Sequence, residues 1–568
     1  MTRASRVRTV RVGRVRMSGL AALATLGLLA GCVSIPTGGG VTTTQVQINE
    51  SDNPLLSLPY LPTKDASPEE IISDFLRNGR SPQDNFKVAR EYLTGDVKVN
   101  WVPGARTLIS ATAITPIALA DNTWSVTVSA GAAIDSQGRF QTAAPADSYD
   151  LTFGLIKNAD DQWRISSVPD GTVLSPNRFS SVFAPYELYY FDPSFTYLVP
   201  DLRWFHSGSS AAGSVVDALL VGPNDRLGDG ALFSAFPDGT QRKGPLAIIS
   251  GVATVPLSRD VSAGSASTHR YMQQQLLQSL RSVASVREVD MLVNDFTVQV
   301  PDGGTLADTT YLVGSDPIGG VKGRVGVLST EGVTAIPGIG RSADTVGATG
   351  GSIVSHDRSQ IALISKAGVT IVRAGRDPAV IDGRSGLVVP SLDPLGFTWS
   401  VPAKAPAQLL AIGPDGTQHA VSGLPADGRV VSIDVSRDGA RLLVALSTAG
   451  GPRLLVAGIQ RDADLIPTGL VTPLDLPIGD APLIDAAWID GVTVVALTDD
   501  GALTSVDSYD IGGQHRSLGT LNNGVAIVGG NTAEGTRVLD NDGHVLRPGG
   551  GTSWTDTGIS ASFLVSQQ

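Results

Sequence analysis

The chain has 568 residues, of which 42% are hydrophobic and 17% are charged, and its formal net charge is −12. A chain of this length is too long to fold around one hydrophobic core, so two to four domains are expected. The composition excludes a largely disordered protein. Residues 1–31 contain six arginines and no acid, which leaves 36 basic and 54 acidic residues and a net charge of −18 in the remainder. An acidic body of this kind is not expected to bind nucleic acid.

The N-terminus has the pattern of an export signal. Its arginines precede an apolar stretch from Leu20 to Ala30, which is shorter than the roughly 20 residues of a membrane-spanning helix and typical of a signal peptide. The stretch ends in Leu29-Ala30-Gly31-Cys32, which resembles the lipobox of bacterial lipoprotein precursors. We therefore expect residues 1–31 to be removed and the protein to lie on the extracytoplasmic face of the cell membrane.

The lipobox resemblance implies that Cys32 becomes the lipidation site. Its thiol would carry an S-diacylglyceryl group and its amine a palmitoyl group, and several acyl chains give stable anchoring where one does not. The alternative is an ordinary secretory signal that contains a cysteine by chance, but Cys32 is the single cysteine of the chain. Residues 32–65 are Gly-rich and polar, so they are predicted to form a flexible tether.

Residues 66–180 are predicted to form a small α+β domain. Ser67-Pro68-Glu69-Glu70 has the pattern of a helix start, because Ser can cap the helix and Glu70 can complete a capping box. A second helix is predicted from Ser81 to about Gly95. Alternating apolar residues then predict strands, among them one that contains Trp163. This order resembles that of NTF2-like or cystatin-like domains.

Residues 186–301 are predicted to form a second α+β domain. A helix ending in Gly222-Pro223, a Pro237-Asp238-Gly239-Thr240 turn, a strand over 251–258 and a closing helix and strand follow one another. Their order and spacing resemble a GerMN domain, which implies binding rather than catalysis in cell-envelope or sporulation proteins. Nine of residues 183–205 are aromatic; we expect a buried domain junction, with a stacking surface for a glycan or peptide as the alternative.

Residues 320–568 are predicted to form an all-β propeller. Short apolar strands alternate with Gly/Asp turns, and residues 354–362 align with residues 435–443, two steps of about 40 residues away. The pair Trp399 and Trp488, each taken to precede a strand, has a similar spacing. A step of about 40–45 residues is typical of a propeller blade, so five or six blades are expected. A pair of β-sandwiches is the alternative.

The sequence offers no complete pattern for catalysis, a cofactor or a metal. No two of the six histidines lie within five residues, and Cys32 is assigned to the anchor. Gly338-x-Gly340-x-x-Ala343 imitates a dinucleotide fingerprint without its strand and helix. His356-Asp357 could form an acid–base pair, but a turn aspartate that caps its own loop, as also at Asp438, is the preferred interpretation. We predict no enzyme activity and no cofactor.

The order of the predicted parts is a lipobox, a small α+β domain, a GerMN domain and a propeller. This order resembles that of the LpqB lipoproteins of actinobacteria. The resemblance implies a partner, the extracytoplasmic domain of the sensor histidine kinase of an MtrA–MtrB-type two-component system. The lipoprotein would modulate the kinase and thereby affect cell-envelope homeostasis and division. Two alternatives stay open: an envelope carbohydrate-active or hydrolytic enzyme built on a propeller, and a ligand-binding scaffold lipoprotein.

Overall fold

The computed structural model describes residues 60–568, except for residues 80–84, 143–147, 285, 302, 310–311 and 354–357. The predicted signal peptide, most of the tether, Cys32, the predicted helix start at Ser81 and the His356-Asp357 pair lie outside the described residues. Residues 60–65 were predicted to belong to the tether, yet they are bound to the body. The backbone N–H of Tyr60 donates to Asn78 Oδ1 at 3.0 Å, so the predicted tether is too long at this end.

The first domain begins with one substantial helix, α1 (Pro68–Asn78), followed by the short helices α2 (Lys87–Arg90) and α3 (Val97–Asn100). The predicted capping box at the start of α1 is confirmed, because the Ser67 and Glu70 side chains each accept the other residue's backbone N–H. The predicted second helix, however, ends at Arg90 rather than near Gly95. The N–H of Thr94 donates to the carbonyl of Ile165, so the chain pairs with a strand there instead of continuing the helix.

The strands of the first domain form two sheets, in the orders β5-β4-β1-β8 and β2-β3-β6-β7. They are β1 (Arg106–Ile109), β2 (Ile117–Ala118), β3 (Thr123–Ser129), β4 (Ala132–Asp135), β5 (Phe140–Thr142), β6 (Ser148–Lys157), β7 (Trp163–Ser167) and β8 (Thr172–Leu174). Apolar side chains of α1, β3 and β6 form a common core. The α+β character agrees with the prediction, but two separate sheets do not confirm an NTF2-like or cystatin-like fold.

A helix, α4 (Pro176–Val182), leads into the GerMN region. This region contains β9 (Phe183–Phe191), β10 (Leu198–His206), α5 (Ala211–Val221), α6 (Asp225–Gly228), β11 (Ala247–Ile249), β12 (Val252–Leu257), α7 (Ala266–Ala284), β13 (Glu288–Val293) and β14 (Phe296–Thr297). Strands β12 and β13 are parallel neighbours in a sheet of order β11-β12-β13-β14. Helix α5 ends at Gly222, whose φ of +113° favours glycine. The predicted elements of the GerMN domain are confirmed.

The C-terminal region is a β-propeller. Its strands are β15 (Ile318–Val321), β16 (Arg324–Ser329), β17 (Gly332–Ala335), β18 (Gly350–Ile353), β19 (Gln360–Ser365), β20 (Gly368–Arg373), β21 (Ala379–Asp382), β22 (Ser391–Leu392), β23 (Thr398–Ser400), β24 (Leu410–Ile412), β25 (Gln418–Ala420), β26 (Arg429–Val435), β27 (Arg441–Thr448), β28 (Gly451–Arg461), β29 (Pro467–Leu470), β30 (Leu474–Leu476), β31 (Leu483–Trp488), β32 (Thr493–Asp499), β33 (Thr504–Asp510), β34 (His515–Leu521), β35 (Gly524–Val528), β36 (Arg537–Asp540), β37 (His544–Gly550), β38 (Ser553–Ser560) and β39 (Phe563–Gln567). One helix, α8 (Gly340–Asp344), lies between β17 and β18.

These strands form six blades, of which five have four strands and blade 4 has a fifth, β30. Blade 1 combines the last strand with the first three, in the order β39-β15-β16-β17, and blades 2 to 6 begin with β18, β22, β26, β31 and β35. Successive inner strands contact one another around the ring, and β39 closes it because it pairs with both β15 and β18. From β18 to β39 the inner strands start 41, 38, 54, 41 and 39 residues apart, which confirms the predicted step except in blade 4, where β30 is added.

One element of the repeat prediction is wrong. Trp399 lies in β23, the second strand of blade 3, whereas Trp488 ends β31, the inner strand of blade 5. The two residues therefore occupy different positions in their blades, and neither precedes its strand. Their spacing resembles two blades because the longer blade 4 lies between them.

Candidate functional site at the junction of the domains

The hairpin of β9 and β10 joins the three folded parts of the chain, and we call it the central hairpin. Every residue of β10 from Leu198 to Phe205 is buried, so this strand is covered on both faces. Most of its aromatic residues pack inward; Tyr190 and Phe191, for example, are fully buried in the GerMN core. The interpretation of the aromatic-rich segment as a buried domain junction is confirmed.

On one side the central hairpin contacts the first domain through a buried ion pair. Arg203 Nη2 lies 2.7 Å from Asp201 Oδ2, and both side chains are almost inaccessible to solvent. The Arg203 guanidinium also donates to the carbonyl of Gln137 at 3.1 Å. Buried charges are tolerated when they are paired and hydrogen-bonded, so this pair fixes the hairpin against the turn between β4 and β5.

On the other side the central hairpin contacts the propeller through a second buried pair. Arg441 Nη2 lies 2.5 Å from Asp438 Oδ2, and Arg441 Nη1 donates to the carbonyl of Pro200 at 3.3 Å. The guanidinium lies over the Trp488 ring, 4.9 Å from its centroid. Asp438 Oδ1 accepts the N–H of Ala440, so the prediction of a turn aspartate that caps its own loop is confirmed at this position.

Hydrogen bonds between neighbouring blades surround the propeller axis. At five places in the described residues, a side-chain oxygen on the inner strand of one blade accepts a backbone N–H from the inner strand of the next blade. The acceptor and donor pairs are Ser352 with Leu392, Ser391 with Val435, Ser432 with Ala486, Asp434 with Trp488, and Asp485 with Ile527. The polar residues along the axis thus connect blades 2 to 6.

Asp434 is the most perturbed of these groups. It is 4% exposed, and burial raises the pKa of its carboxyl to about 7, although hydrogen bonds from Trp488 N–H and from the Gln568 amide favour the ionised form. A carboxyl group with a perturbed pKa is a feature of many active sites. Here both oxygens accept hydrogen bonds within the ring, so the group is engaged in joining blades.

A cavity of about 230 Å³ lies where the central hairpin meets the propeller axis. Glu187 and Tyr189 line it from the hairpin, and Asp490 lines it from a turn of blade 5. Arg437 of blade 4 also lines the cavity and donates to the carbonyl of Gly530 in blade 6 at 2.6 Å. One side chain that lines this cavity therefore connects blade 4 with blade 6.

The remaining sequence motifs have structural roles. Gly340 and Ala343 of the imitated dinucleotide motif are buried in the five-residue helix α8, too short for a phosphate-binding helix terminus. Within the described residues, one group of possible metal ligands occurs, at Asp540, Asp542 and His544. Asp540 Oδ1 accepts the backbone N–H groups of the other two residues, and this turn accounts for the cluster. The aromatic-rich segment marked the junction in the sequence, but the ion pairs of Arg203 and Arg441 that join the domains had no local signal.

Among the residues that the structure covers, no helix has both the length and the apolar character needed to traverse a lipid bilayer.

Comparison with known families identifies all three folded regions. Residues 61–180 match "Lipoprotein LpqB, N-terminal domain", residues 323–559 match "Lipoprotein LpqB beta-propeller domain", and residues 187–299 match the family "Sporulation and spore germination". Among solved structures, this chain is similar to the first GerMN domain of the sporulation protein GerM from Bacillus subtilis. The match covers 22% of this chain and 94% of that domain's chain, with 21% identity and a TM-score of 0.18.

Several curated relatives are named Lipoprotein LpqB, and two of them illustrate the similarity. The relative from Streptomyces coelicolor is 28% identical to this chain, and the match covers 82% of this chain and 83% of the relative. The one from Cutibacterium acnes is 28% identical over 48% of this chain, and the match spans 46% of that relative, which is less than half of its length. The resemblance inferred from the order of the domains is confirmed: this chain belongs to the LpqB lipoprotein family.

Proposed function

We propose that this lipoprotein is anchored on the extracytoplasmic face of the cell membrane through Cys32 and binds the extracytoplasmic domain of an MtrB-type sensor histidine kinase. Binding modulates the MtrA–MtrB-type system and so influences cell-envelope homeostasis and cell division. The proposal assigns no catalytic activity to the chain. Membership of the LpqB family and the Leu29-Ala30-Gly31-Cys32 motif support it.

One observation favours binding over catalysis, namely how the axial carboxylates of the propeller are used. Asp434 and Asp485 accept backbone N–H groups from the neighbouring blade, and Asp438 is paired with Arg441. An envelope hydrolase needs at least one carboxylate that is available to substrate. These three are engaged in holding the blades and the central hairpin together.

The propeller offers one face to the partner in this proposal. The turns that contact the central hairpin, at Arg441, Gly491 and Gly512, all belong to the same face. The turns of the opposite face, such as those at Asp500 and Asp542, are exposed. Tethering near the membrane raises the effective concentration of the lipoprotein next to a membrane kinase, so that even a weak contact is populated.

Photocrosslinking in the native envelope tests the proposal. A benzophenone amino acid is placed at Asp500 or Asn541 on the opposite face of the propeller, and at Lys98 in the first domain as a control. We expect crosslinks from the two propeller positions to the extracytoplasmic domain of the sensor kinase, and none from the control. Absence of the kinase from all three products, with the lipoprotein present at normal levels, would contradict the proposal.

A further inference from the structure

A cleft of about 520 Å³ separates the first domain from blade 5 of the propeller. One wall is a face of the β5-β4-β1-β8 sheet, because Ile109, Ala132 and Thr142 are register partners on adjacent strands and point the same way. The opposite wall is the turn that ends in Gln514 and His515. The volume lies within the range of about 300–1,000 Å³ that small-molecule sites occupy.

Trp204 of the central hairpin holds both walls in place. Its backbone N–H donates to the carbonyl of Gly138 in the first domain at 2.8 Å, and its indole Nε1 donates to the carbonyl of Gly512 in the propeller at 3.0 Å. Its ring lies 5.8 Å from that of Phe140, which lines the cleft. The cleft is therefore a preformed extension of a buried apolar cluster rather than a loose gap between domains.

The lining differs in chemistry from that of two other cavities in the described residues. None of the residues that line this cleft is Asp, Glu, Lys or Arg. The cavity in the GerMN region includes Asp217 and Arg242, and the cavity at the propeller axis includes Arg437. An uncharged, largely apolar cleft disfavours phosphates and other densely charged ligands, and it favours hydrocarbon.

We propose that this cleft binds the hydrocarbon chain of a long-chain fatty acyl molecule. The chain would lie against Ile109, Ala132 and Phe140, and the polar end of the molecule would face the Gln514 amide and the His515 imidazole at the rim. A lipoprotein that is anchored to a membrane is surrounded by such molecules. This inference rests on the membrane anchor of the proposed function but not on contact with a kinase, because it concerns the cleft between the first domain and blade 5.

Gly131 offers a way to block the cleft without disturbing the fold. It lines the cleft, and a Cβ atom added there would meet no other atom within 4 Å. Gly131→Phe therefore begins in free space at its Cβ atom and adds a bulky side chain at the cleft. Gly104 has equally open surroundings and also lies in the first domain, but it is not part of the cleft, so Gly104→Phe is the matched control.

The test is photolabelling of the purified full-length protein in lipid nanodiscs with a diazirine analogue of palmitic acid, followed by peptide mapping. We expect saturable labelling of peptides that contain residues 109–112, 129–142 and 513–515. Gly131→Phe should reduce it at least tenfold, whereas Gly104→Phe should leave it unchanged, and labelling next to Cys32 serves as an internal reference. Labelling confined to the anchor, or cleft labelling that Gly131→Phe does not reduce, would overturn the proposal.

Discussion

The indole Nε1 of Trp204 donates a 3.0 Å hydrogen bond to the carbonyl oxygen of Gly512, 308 positions further along the chain. This bond connects the central hairpin to blade 5, and the backbone of the same tryptophan is bonded to the first domain. The body of this lipoprotein is thus joined by a hairpin that belongs to the GerMN region and contacts both of its neighbours.

Trp204→Phe is expected to loosen this junction. Loss of the indole hydrogen bond should lower the free energy of unfolding by about 1–2 kcal/mol and increase amide hydrogen exchange in residues 511–515. Trp554→Phe is the matched control, because Trp554 Nε1 donates to the carbonyl of Leu518 within the propeller. Unchanged exchange at residues 511–515 in Trp204→Phe would show that the bond does not hold the two parts together.

Arg441→Met is expected to destabilise the protein strongly. Asp438, which is 2% exposed, would keep a buried charge without its partner, and breaking a buried pair in this way costs about 3–5 kcal/mol. Arg453→Met is the control, since Arg453 and Asp475 form a pair whose side chains are 39% and 49% exposed and such pairs contribute about 0–1 kcal/mol. Urea unfolding measures the loss in free energy of unfolding for each variant. Equal losses for Arg441→Met and Arg453→Met would contradict the structural account.

Asp434→Asn is expected to change how stability depends on pH. The pKa of Asp434 is raised to about 7 in the folded protein, against about 3.9 when unfolded, so the folded state binds the additional proton between these values. The contribution of this protonation to the free energy of unfolding is therefore greatest below pH 4. It is lost, by about 1.4 kcal/mol per pH unit, as the pH rises towards 7. The variant should gain stability relative to the wild type over this window.

Urea unfolding of both proteins from pH 4 to pH 8 measures this difference. The control is Asp415→Asn, because hydrogen bonds from the Thr417 side chain and backbone lower the pKa of Asp415 and both states are then ionised above pH 5. A difference between wild type and Asp434→Asn that is independent of pH would be inconsistent with a buried, titrating carboxyl at the propeller axis.

The parts of the fold that could be predicted are those that are determined by residues close together in the sequence. The capping box of Ser67 and Glu70, the glycine end of helix α5 and the 40-residue step of the blades all have signals within a few residues or a regular spacing. The second helix of the first domain was predicted too long, because pairing with β7 depends on residues about 70 positions away.

The aromatic-rich segment predicted a buried junction, but the individual contacts at the junction and at the propeller axis could not be predicted, for a related reason. Arg441 and Pro200 are 241 positions apart, and no local pattern marks such a contact. The axial acceptors Ser352, Ser391, Ser432, Asp434 and Asp485 are unevenly spaced and of two residue types, so they do not stand out as a repeat. The closing strand β39 was similarly hidden, since its role depends on pairing with strands at the other end of the propeller.

The central claim is that lipid on Cys32 holds this acidic body at the outer face of the membrane. Growth of the natural host with radioactive palmitate, with the wild-type protein or Cys32→Ser, tests it most directly. We predict a labelled wild-type protein in the membrane fraction and an unlabelled variant that is no longer retained there. If both proteins are unlabelled and remain in the cytosolic fraction, the claim is wrong.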